Sequence, residues 1–569
     1  LPDPPVIEIV SGPARSLVCI VPSRADADEE IEVIVKAEDA WGNPARTYAG
    51  TVRLDAPGFA GLPESYAFAL ADRGVHRFAA TVSAAGEHRV EVRDDLMGAR
   101  AVSNPLVAPE EMLATHVYWA DLHGQSEETV GTNTAEDYHR FARDDAALDV
   151  VGHQGNDFQV TDETWGELQR LARQYTQPGR FVALLGYEWS GNTAGGGDHN
   201  VYWPGPDQPI FRSCHALIPD KSTVESDRYP IERLYEELRA RGGIAIPHVG
   251  GRRADLSRLD PEVVPLVEIY SAWGQFEWML THSLALGHRV GVVAGSDEHK
   301  GRPGASYPGA SQFGACGGLT GIIAEELTPE AIFAALRARR CYATTGRRIV
   351  LRVQLNGQPM GAHLRADGAV TLTCHVAGTA GVRSVEVLRG DRVVHLHDPL
   401  AGAPLSEELV RVVWSGARIL GRDRATTWDG RLEVTGATIE EAAGYAFDGP
   451  QEGVTEITPT GLAWRSITTG DEDGVTLRLS RVEGARLRFR SAPAQFDCDL
   501  GDLGREPYVV DVGGIEQRVM VQRLPVGEPP LAVTFTWQDD PPAGASAYWV
   551  RVTQDDGAHA WSSPVFVER

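Results

Sequence analysis

The feature that most constrains the fold of this chain is an alternation of short apolar runs with helical patterns between residues 116 and 348. Several runs are almost continuously apolar, as strands buried on both faces of a parallel sheet are. The predicted strands are residues 117–120, 148–152, 181–186, 244–247, 266–270, 290–294 and 319–323. The predicted helices between them are residues 135–147, 162–175, 231–241, 275–286 and 329–339. This alternation favours an α/β barrel or an open α/β sheet.

Both flanks of this region have the pattern of all-β domains. Short alternating runs such as residues 31–36, separated by turn signals such as residues 41–44, predict an immunoglobulin-like β-sandwich. The alternating pattern returns after residue 349 and continues to the end of the chain. We therefore expect three domains: an N-terminal β-sandwich (1–108), a catalytic α/β domain (115–347) and a β-rich domain with room for two subdomains (349–569).

Composition excludes two classes of partner. The chain has 53 basic and 79 acidic residues, a formal net charge of −26. A surface of that sign repels phosphate backbones, so we expect no nucleic-acid partner. No apolar run reaches the roughly 18 residues of a membrane-spanning helix, so we expect no membrane partner either. None of these features indicates an oligomeric state.

Cysteine usage bears on the compartment. The six cysteines are scattered, with no CxxC pair, as is typical of the cytoplasm, where thiols stay reduced. The first five residues do not form a signal peptide, although the start of a processed chain would look the same. Cytoplasmic residence is the expectation, and the periplasm or secretion is the alternative.

The predicted strands run into polar residues that can bind metal ions. Ten of the 17 histidines fall between residues 116 and 299. The carboxyl ends of strands carry the reacting groups in parallel α/β folds. Here they lead to Asp-Leu-His-Gly-Gln (121–125), Gly-His (152–153), Tyr-Glu-Trp (187–189), Pro-His (247–248) and Ser-Asp-Glu-His (296–299). Because burying so many ionisable groups without a cation is costly, the pattern predicts a site for two or three divalent cations.

In this order, these five segments resemble the PHP (polymerase and histidinol phosphatase) superfamily, and most of all its DUF3604-type branch. The resemblance covers residues 115–345, and residues 548–552 and 560–564 look like the end of that branch. It implies a distorted (β/α)7 barrel, here between β-sandwich domains, with a metal cluster at the carboxyl rim. The activity it implies is phosphoester hydrolysis.

The resemblance also implies a set of ligands. These are His123 and Asp297 for a first ion, Glu188 as the bridging carboxylate, His199 and His248 for a second ion, and His153 and His299 for a third. Imidazole and carboxylate together suit Mn, Zn or Fe, and the ligands alone do not decide between them.

The chain departs from the family pattern at two places. Gln125 stands where the family has a second histidine, and an amide oxygen coordinates more weakly than an imidazole. A further family histidine has no counterpart, and Glu127 or Glu128 is the candidate replacement. Two ions are therefore better supported than three. Asp121 is either a ligand or a residue that orients a ligating imidazole.

Several residues near the predicted rim are candidates for catalysis. Those for proton transfer to a leaving group are Glu268, His153, Asp157 and Glu298, although Glu298 also fits an exposed loop acid. Arg252 and Arg253 can bind a phosphate or sulfate bidentately, or form an ordinary basic loop. The same ambiguity holds for Lys300 and Arg302.

Three functions fit these features. The leading hypothesis is a metal-dependent hydrolase of phosphate mono- or diesters, acting on a small anionic ester, with or without a linked carbohydrate. The second keeps the metals but cleaves sulfate esters or glycans, with rim tryptophans stacking on sugars. The tryptophans concerned are Trp165, Trp189, Trp203, Trp273 and Trp278. The third is a non-catalytic binding protein stabilised by its metals, since a fold alone does not fix a function.

Overall fold

The computed structural model describes residues 10–83, 85–108, 115–304 and 313–569. The first five residues, on which the signal-peptide prediction depends, lie outside these ranges. The chain divides into two compact units, residues 1–114 and 115–569. Within the described ranges, no helix combines the length and apolarity needed to cross a bilayer, and no disulfide joins two cysteines.

The N-terminal unit is a β-sandwich. Its described strands are β1 (Ser16–Ile20), β2 (Glu30–Glu38), β3 (Thr51–Asp55), β4 (Phe59–Ala60), β5 (Ser65–Ala67), β6 (Val75–Val82), β7 (Gly86–His88), β8 (Glu91–Asp94), β9 (Ala99–Val102) and β10 (Leu106–Ala108). Two antiparallel sheets, in the orders β1-β2-β6-β4 and β5-β3-β8-β9, enclose the core. Alternating side chains such as Val33 and Val35 on β2 and Val92 on β8 are fully buried there, as the period of two predicts.

The middle of the chain contains all five described α-helices. Its elements are β11 (His116–Asp121), α1 (Ala135–Arg140), β12 (Val150–Gly152), α2 (Asp162–Tyr175), β13 (Val182–Leu184), β14 (Gly186–Ser190), β15 (Asp198–Tyr202), α3 (Ile231–Arg241), β16 (Ile244–Pro247), β17 (Leu266–Ser271), β18 (Gly274–Gln275), α4 (Glu277–Ala285), β19 (Gly291–Ala294), β20 (Leu319–Ala324), α5 (Pro329–Arg337) and β21 (Cys341–Thr344). Each predicted strand and helix of this region is present, with shifts at some ends.

The strands of this region form three sheets. Strands β11, β12 and β13 are parallel, and β20 pairs with β11 in the antiparallel direction. Strands β14, β15 and β16 form an antiparallel sheet, and β17 pairs in parallel with β19. Among the described strands no sheet closes into a barrel. The predicted third strand ends at Leu184 and the chain resumes in the β14–β15 hairpin, so a regular strand–helix repeat is interrupted.

Helix α2 shows why local sequence patterns were sufficient to predict the helices. The hydroxyl of Thr161 accepts a hydrogen bond from the backbone N–H of Thr164 at 3.1 Å and caps the first turn. Acidic residues occupy that turn, where their negative charges interact favourably with the positive end of the helix dipole. Leu168 and Leu171 lie on the buried face. The predicted limits of α2 and α3 are the observed ones.

The rest of the chain is all β. Its strands are β22 (Val350–Leu355), β23 (Gln358–Pro359), β24 (His363–Arg365), β25 (Val370–Ala377), β26 (Val382–Arg389), β27 (Arg392–His397), β28 (Leu405–Ala417), β29 (Thr426–Thr427), β30 (Gly430–Thr435), β31 (Ile439–Tyr445), β32 (Gly453–Thr458), β33 (Gly461–Arg465), β34 (Ile467–Thr468), β35 (Glu472–Leu479), β36 (Arg486–Ser491), β37 (Gln495–Asp499), β38 (Tyr508–Gly513), β39 (Ile515–Pro525), β40 (Ala532–Asp539), β41 (Ala545–Gln554), β42 (His559–Ser562) and β43 (Val565–Glu568).

One sheet joins the α/β region to the C-terminal strands. Strand β21 pairs with β42, so the sheet that begins at β13 continues through β11, β20 and β21 to β41, β26 and β27. A single core cluster contains Trp119 of β11, Leu372 of β25 and Val550 of β41. A separate core lies between two five-stranded sheets and contains Trp414 and Trp464. Because one sheet and one core cross residue 348, the predicted boundary there stays a prediction.

Candidate metal centre

His123 follows β11 and is held from both sides by carboxylates. Its Nδ1 lies 2.9 Å from Glu268 Oε2, and its Nε2 lies 3.2 Å from Asp297 Oδ1. The first contact is a hydrogen bond that fixes the Nδ1–H tautomer and leaves the lone pair of Nε2 for a ligand. The second contact does not have hydrogen-bond geometry, and Nε2 has no hydrogen-bond partner. Nε2 and the Asp297 carboxylate therefore stand side by side, as two ligands of one cation do.

Asp121 orients this part of the site. Its Oδ1 accepts the backbone N–H groups of His123 at 3.1 Å and Ser296 at 2.9 Å, and its Oδ2 accepts that of Gly304 at 2.6 Å. Both oxygens of the buried side chain are thus occupied by the protein. Asp121 belongs to neither group of converging ligand atoms around His248, so of the two roles predicted for it, orientation is the one that these contacts support.

His248 lies at the centre of the candidate site. It follows β16, and its ring is fully buried with its centroid 4.4 Å from that of His123. Neither Nδ1 nor Nε2 has a hydrogen-bond partner. Ligand atoms of His248 lie within 4.8 Å of those of two pairs of residues, His123 with Glu268 and Glu188 with Asp198. An imidazole buried without a partner is costly unless something else satisfies it.

Glu188 and Asp198 come from the two strands of the β14–β15 hairpin. The register pairs Glu188 with Asn200 and Ser190 with Asp198, which puts both acids on one face of the hairpin. Glu188 Oε2 accepts hydrogen bonds from Asn156 at 2.7 Å and from the Gln125 amide at 3.2 Å. Its Oε1 lies 3.8 Å from His248 Nε2. Glu188 is therefore fixed beside His248.

Gln125 supports this carboxylate with its amide nitrogen. Its amide oxygen accepts a hydrogen bond from Thr129 Oγ1 at 2.8 Å. The oxygen that was predicted to coordinate a metal is therefore turned to Thr129, and the nitrogen is turned to Glu188.

His199 lies on the other face of the hairpin from Glu188. Its register partner is Trp189, its Nε2 lies 2.9 Å from the Tyr235 hydroxyl, and its Nδ1 lies 3.0 Å from the Gly197 carbonyl oxygen. Both ring nitrogens are occupied, so the structure does not bring His199 into the cluster. The physical reason is the alternation of side chains along a strand, which places adjacent residues on opposite faces.

Asp198 is the residue that the sequence reasoning missed. It precedes His199, faces the cluster and is completely buried. Asp198 and His199 are adjacent on one strand of the hairpin, so only one of them can face the cluster, and the register that decides between them was not predicted. Arg252 binds Asp198 with Nε at 2.6 Å and with its backbone N–H at 2.8 Å. The guanidinium also approaches Glu188 Oε1 at 3.7 Å, and the Arg252 side chain keeps 32% of its surface exposed.

Asp297 and His299 close the site after β19. The backbone N–H of Asp297 donates to the His123 carbonyl oxygen at 2.7 Å. Asp297 has a φ of 45°, a left-handed conformation that Asp and Asn tolerate better than most residues. His299 Nε2 lies 3.5 Å from Asp297 Oδ1, and its side chain is 17% exposed. His299 therefore stands at the solvent side of the cluster.

His153 lies in a neighbouring pocket. Its Nε2 is 2.7 Å from Ser126 Oγ, and that hydroxyl also contacts the carboxylate of Glu128. Its Nδ1 has no hydrogen-bond partner. The ring packs against those of Tyr138 and His139, at centroid distances of 5.2 and 6.4 Å. Glu128 thus reaches His153 through Ser126.

Two predicted acids have structural partners. Asp157 is buried and accepts hydrogen bonds from the backbone and hydroxyl groups of Ser213. Glu298 is also buried, which corrects the expectation of an exposed loop acid. Its carboxylate accepts the backbone N–H groups of Lys300 and Arg302, both at 2.5 Å. Burial raises the pKa of each acid to about 7. Neither carboxylate is directed at the cluster by these contacts.

Arg253 differs from its neighbour Arg252. Its guanidinium lies over the Trp278 ring, 5.9 Å from the centroid. Of the two arginines that were predicted to bind an anion, only Arg252 contacts the acids of the cluster in the described part of the chain.

The electrostatics of the cluster favour a bound cation. Burial opposes protonation of His123, but the charges of Asp297 and Glu268 outweigh it and raise its pKa to about 10. Burial and the nearby imidazoles lower the pKa of His248 well below its ordinary value, which keeps it neutral and able to ligate. Burial, with the charges of Asp198 and Asp297, raises the pKa of Glu188. A cation would replace the proton on His123 and satisfy His248, so these residues fit a metal ion.

The rim tryptophans are packed in the protein interior. Each of the five named in the sequence is at most 9% exposed: Trp165, Trp189, Trp203, Trp273 and Trp278. They do not form an open surface on which a sugar can stack.

Comparison with known proteins finds one family model that matches part of the chain, and several distant relatives. The family model described as "Protein of unknown function (DUF3604)" matches residues 96–251 and 289–377. An uncharacterized protein of Chlamydia pneumoniae is 24% identical over 452 residues, covering 70% of this chain and 68% of that protein. An uncharacterized protein of Chlamydia trachomatis serovar D is 24% identical over 447 residues, with the same two coverages.

Two solved structures show weaker similarity. One is a two-domain protein of Bacteroides vulgatus containing a predicted PHP-like metal-dependent phosphoesterase: 10% identity, 68% of this chain and 96% of that chain covered, TM-score 0.29. The other is a glycosyl hydrolase family 2 member of Bacteroides cellulosilyticus: 8% identity, 85% and 78% covered, TM-score 0.18. At TM-scores this low, neither structure informs the fold or the reaction of this chain.

Proposed function

Starting from the match to the DUF3604 family model, we propose that this chain is a metal-dependent hydrolase of phosphate esters. One observation carries the proposal: His248 is fully buried with both ring nitrogens unpartnered, and it belongs to two groups of converging ligand atoms, with His123 and Glu268 and with Glu188 and Asp198. Imidazole and carboxylate ligands converging on one buried point are the chemistry of a transition-metal site. We assign the chain to the PHP superfamily and interpret its three sheets as an opened, distorted (β/α)7 barrel.

Two groups of residues would hold the ions. His123, His248 and Asp297 would hold one, and Glu188 and Asp198, which lie beside His248, would hold the other. Mn, Zn and Fe all suit this ligand set. When bound, such ions supply an activated water and stabilise negative charge on the ester oxygens. A third ion near His153 and His299 stays a prediction.

Arg252 is the residue that we propose to bind the ester anion. Its guanidinium is fixed by Asp198 and is partly exposed at the edge of the cluster. A planar guanidinium donates two parallel hydrogen bonds to a phosphate, which fixes the orientation of the ester as well as its position. With cations balancing the charges of Asp198 and Glu188, the exposed part of the Arg252 guanidinium would be available to an anionic substrate.

We propose that His299 transfers the proton in this arrangement. It stands at the exposed edge of the cluster, 3.5 Å from Asp297 Oδ1, where an imidazole can hold a proton at Nε2 and donate it to a leaving alkoxide. Glu268, which the sequence suggested for this task, is buried and hydrogen-bonded to His123 Nδ1. Its role in the proposal is to orient His123.

A phosphate ester is favoured over a glycan because of the side chains at the site. An arginine faces the cluster, whereas the rim tryptophans are buried. The substrate class that we propose is a small anionic ester without a nucleic-acid or membrane component.

Metal-loaded protein tests the proposal with p-nitrophenyl phosphate and bis(p-nitrophenyl) phosphate. We expect EDTA to abolish turnover and Mn²⁺, Zn²⁺ or Fe²⁺ to restore it. Asp297→Asn keeps the left-handed conformation and should lose both metal and turnover, whereas His199→Gln should keep its metal. Protein that binds no transition metal, or that binds metal and hydrolyses only p-nitrophenyl sulfate or nitrophenyl glycosides, would overturn the proposal.

A further inference from the structure

The two five-stranded sheets of the C-terminal region form a sandwich that contacts the α/β region at the turn after β17. We call it the inserted sandwich (residues 405–525), because its strands lie between β27 and β40 in the chain. The Thr469 carbonyl oxygen accepts the backbone N–H of Gln275 at 3.2 Å. Gly274 has a φ of 136°, and a β-carbon there would lie 2.0 Å from the same oxygen. The two backbones therefore meet with no room for a side chain between them.

Arg424 extends from the loop between β28 and β29 of the inserted sandwich into the α/β region. Its side chain is buried, and its Nη2 donates a hydrogen bond to the Gly250 carbonyl oxygen at 2.9 Å. Its Nη1 lies 3.5 Å from the Trp273 carbonyl oxygen. The guanidinium carbon lies 5.4 Å from the centroid of the Trp273 ring and 5.2 Å from that of Phe276. The guanidinium is thus packed on two aromatic rings with one nitrogen directed at Gly250.

Gly250 belongs to the loop that joins the metal centre to the proposed anion site. The loop begins after His248 and includes Arg252. A β-carbon on Gly250 would lie 3.1 Å from the His248 ring and 3.3 Å from Asp198 Oδ2, so this backbone packs directly on candidate ligands. The backbone N–H of Asp198 donates to the Arg252 carbonyl oxygen at 2.9 Å. Arg424 therefore holds the loop two residues before Arg252, where the loop is packed against the metal centre.

The charge of Arg424 has no carboxylate partner in the described part of the chain. Its Nε donates to the Gly421 carbonyl oxygen at 2.8 Å, so carbonyl oxygens are the partners of all three nitrogens. Burial lowers the pKa of Arg424 to about 10, against the charges of Asp297 and Asp198, and the group stays positive at neutral pH. A hydrogen bond from a charged donor is stronger than one from a neutral donor. No ion pair draws the guanidinium away from Gly250, so this contact fixes the loop firmly.

We infer that Arg424 is a positioning residue of the ester site. From the inserted sandwich it fixes the loop that carries Arg252, so anion binding at the metal centre depends on a segment remote from the α/β region in sequence. This inference rests on the proposed function and extends it to a part of the chain that supplies none of the candidate metal ligands.

Two measurements on the metal-loaded full chain test this inference without relying on turnover. They are calorimetric titration with inorganic phosphate and hydrogen–deuterium exchange of the amides of residues 249–254. Arg424→Gln removes the charge and keeps one amide donor. We expect it to bind phosphate about tenfold more weakly than the parent, because Arg252 is then less well placed, and to exchange these amides faster. Its metal content should equal that of the parent. Arg424→Lys keeps the charge and should give intermediate values.

Arg411→Gln is the matched control, since Arg411 is also buried and lies in the same sandwich. It donates to Thr476 Oγ1 at 2.9 Å and to Asp555 Oδ1 at 3.1 Å, on β35 and after β41. The control should unfold at a lower temperature with phosphate affinity and loop exchange unchanged. A purely structural role for Arg424 predicts that same result for Arg424→Gln, and finding it would overturn the inference. Circular dichroism checks the folding of each variant.

The outcomes separate this inference from the proposed hydrolase. If the parent binds phosphate and Arg424→Gln binds it equally well, the inference fails and the proposed function stands. The same holds if Arg424→Gln binds phosphate more weakly with unchanged loop exchange, because Arg424 would then act by its charge and not by positioning. A metal-loaded parent that binds no phosphate overturns the proposed anion site and the inference with it.

If neither Arg424 variant folds, a crystal of the metal-loaded parent soaked with phosphate decides. Phosphate bound by Arg252, with Arg424 Nη2 still within hydrogen-bond distance of the Gly250 carbonyl oxygen, supports the inference. Phosphate bound without Arg252, or an Arg424 side chain that has left Gly250, refutes it.

Discussion

Replacing Glu268 by glutamine tests how the protein prepares His123 to bind a metal. The carboxylate lies 2.9 Å from His123 Nδ1, and both side chains are buried. An amide oxygen at the same place can still accept the Nδ1–H. The substitution therefore keeps much of the orientation of the imidazole and removes the negative charge that makes Nε2 a stronger ligand.

The size of the effect follows from this single contact. A charge-assisted hydrogen bond contributes about 1 kcal/mol more than a neutral one. Loss of the partner of a ligating histidine typically costs about 10- to 100-fold in metal affinity, which is about 1.4 to 2.7 kcal/mol. Removal of one negative charge from the buried cluster also weakens the binding of a cation. We expect Glu268→Gln to bind Mn²⁺ or Zn²⁺ about 10- to 100-fold more weakly than the parent.

Competition with a chromophoric chelator measures this affinity after the native metal is removed with EDTA. Glu277→Gln is the matched control, since Glu277 is also a buried carboxylate. It accepts hydrogen bonds from Arg551 at 2.8 Å and from Trp561 Nε1 at 2.7 Å, away from the cluster. The control should unfold at a lower temperature with its metal affinity unchanged. Equal affinity of Glu268→Gln and the parent, or an equal loss in the control, would refute the reasoning.

Three further predictions concern single residues. Elemental analysis should show that Asp198→Asn loses at least one bound metal ion while His199→Gln keeps the metal content of the parent, because only Asp198 faces the cluster. Loss of metal from His199→Gln and not from Asp198→Asn would contradict the assignment. Arg252→Lys should raise KM for a phosphate monoester about tenfold through loss of the bidentate contact, and Arg253→Lys should leave KM unchanged. Equal changes of KM in the two variants would contradict the proposed anion site. Burial lowers the pKa of His139 to about 4, from its ordinary value of about 6.5. The stability that its neutral form supplies is therefore complete above about pH 6.5 and is lost as the pH falls through about 4. Denaturant unfolding should show that the free energy of unfolding of His139→Gln falls by about 3 kcal/mol less than that of the parent over that interval. Identical losses would contradict a neutral His139.

The secondary structure around the site was predictable because its signals are local. Apolar spacing predicted the limits of α2 and α3, and the apolar runs predicted the strands that end at the site. The polar residues at those ends carried the family resemblance that implied His123, Glu188, His248 and Asp297 as ligands, and these four residues lie together in the structure. Strand ends that share an edge bring distant residues together without further information.

The rest of the site depends on register and long-range contacts, which the sequence does not display. A shift of one residue in the β14–β15 hairpin decides whether Asp198 or His199 faces the metal centre, and the motif alone pointed to the histidine. Glu298 was expected in solvent, yet backbone N–H groups of its own loop satisfy the carboxylate in the interior. Strand–helix alternation left an α/β barrel and an open sheet as alternatives, and it does not reveal that one repeat is a hairpin.

The central claim is that His123, Glu188, His248 and Asp297, together with Asp198, surround bound cations. Anomalous diffraction from a crystal of the Mn²⁺- or Zn²⁺-loaded protein tests it most directly. We predict two peaks beside His248, with an imidazole nitrogen about 2.0–2.2 Å from at least one of them. Fully loaded crystals whose anomalous peaks lie beyond the reach of His248 would contradict the account.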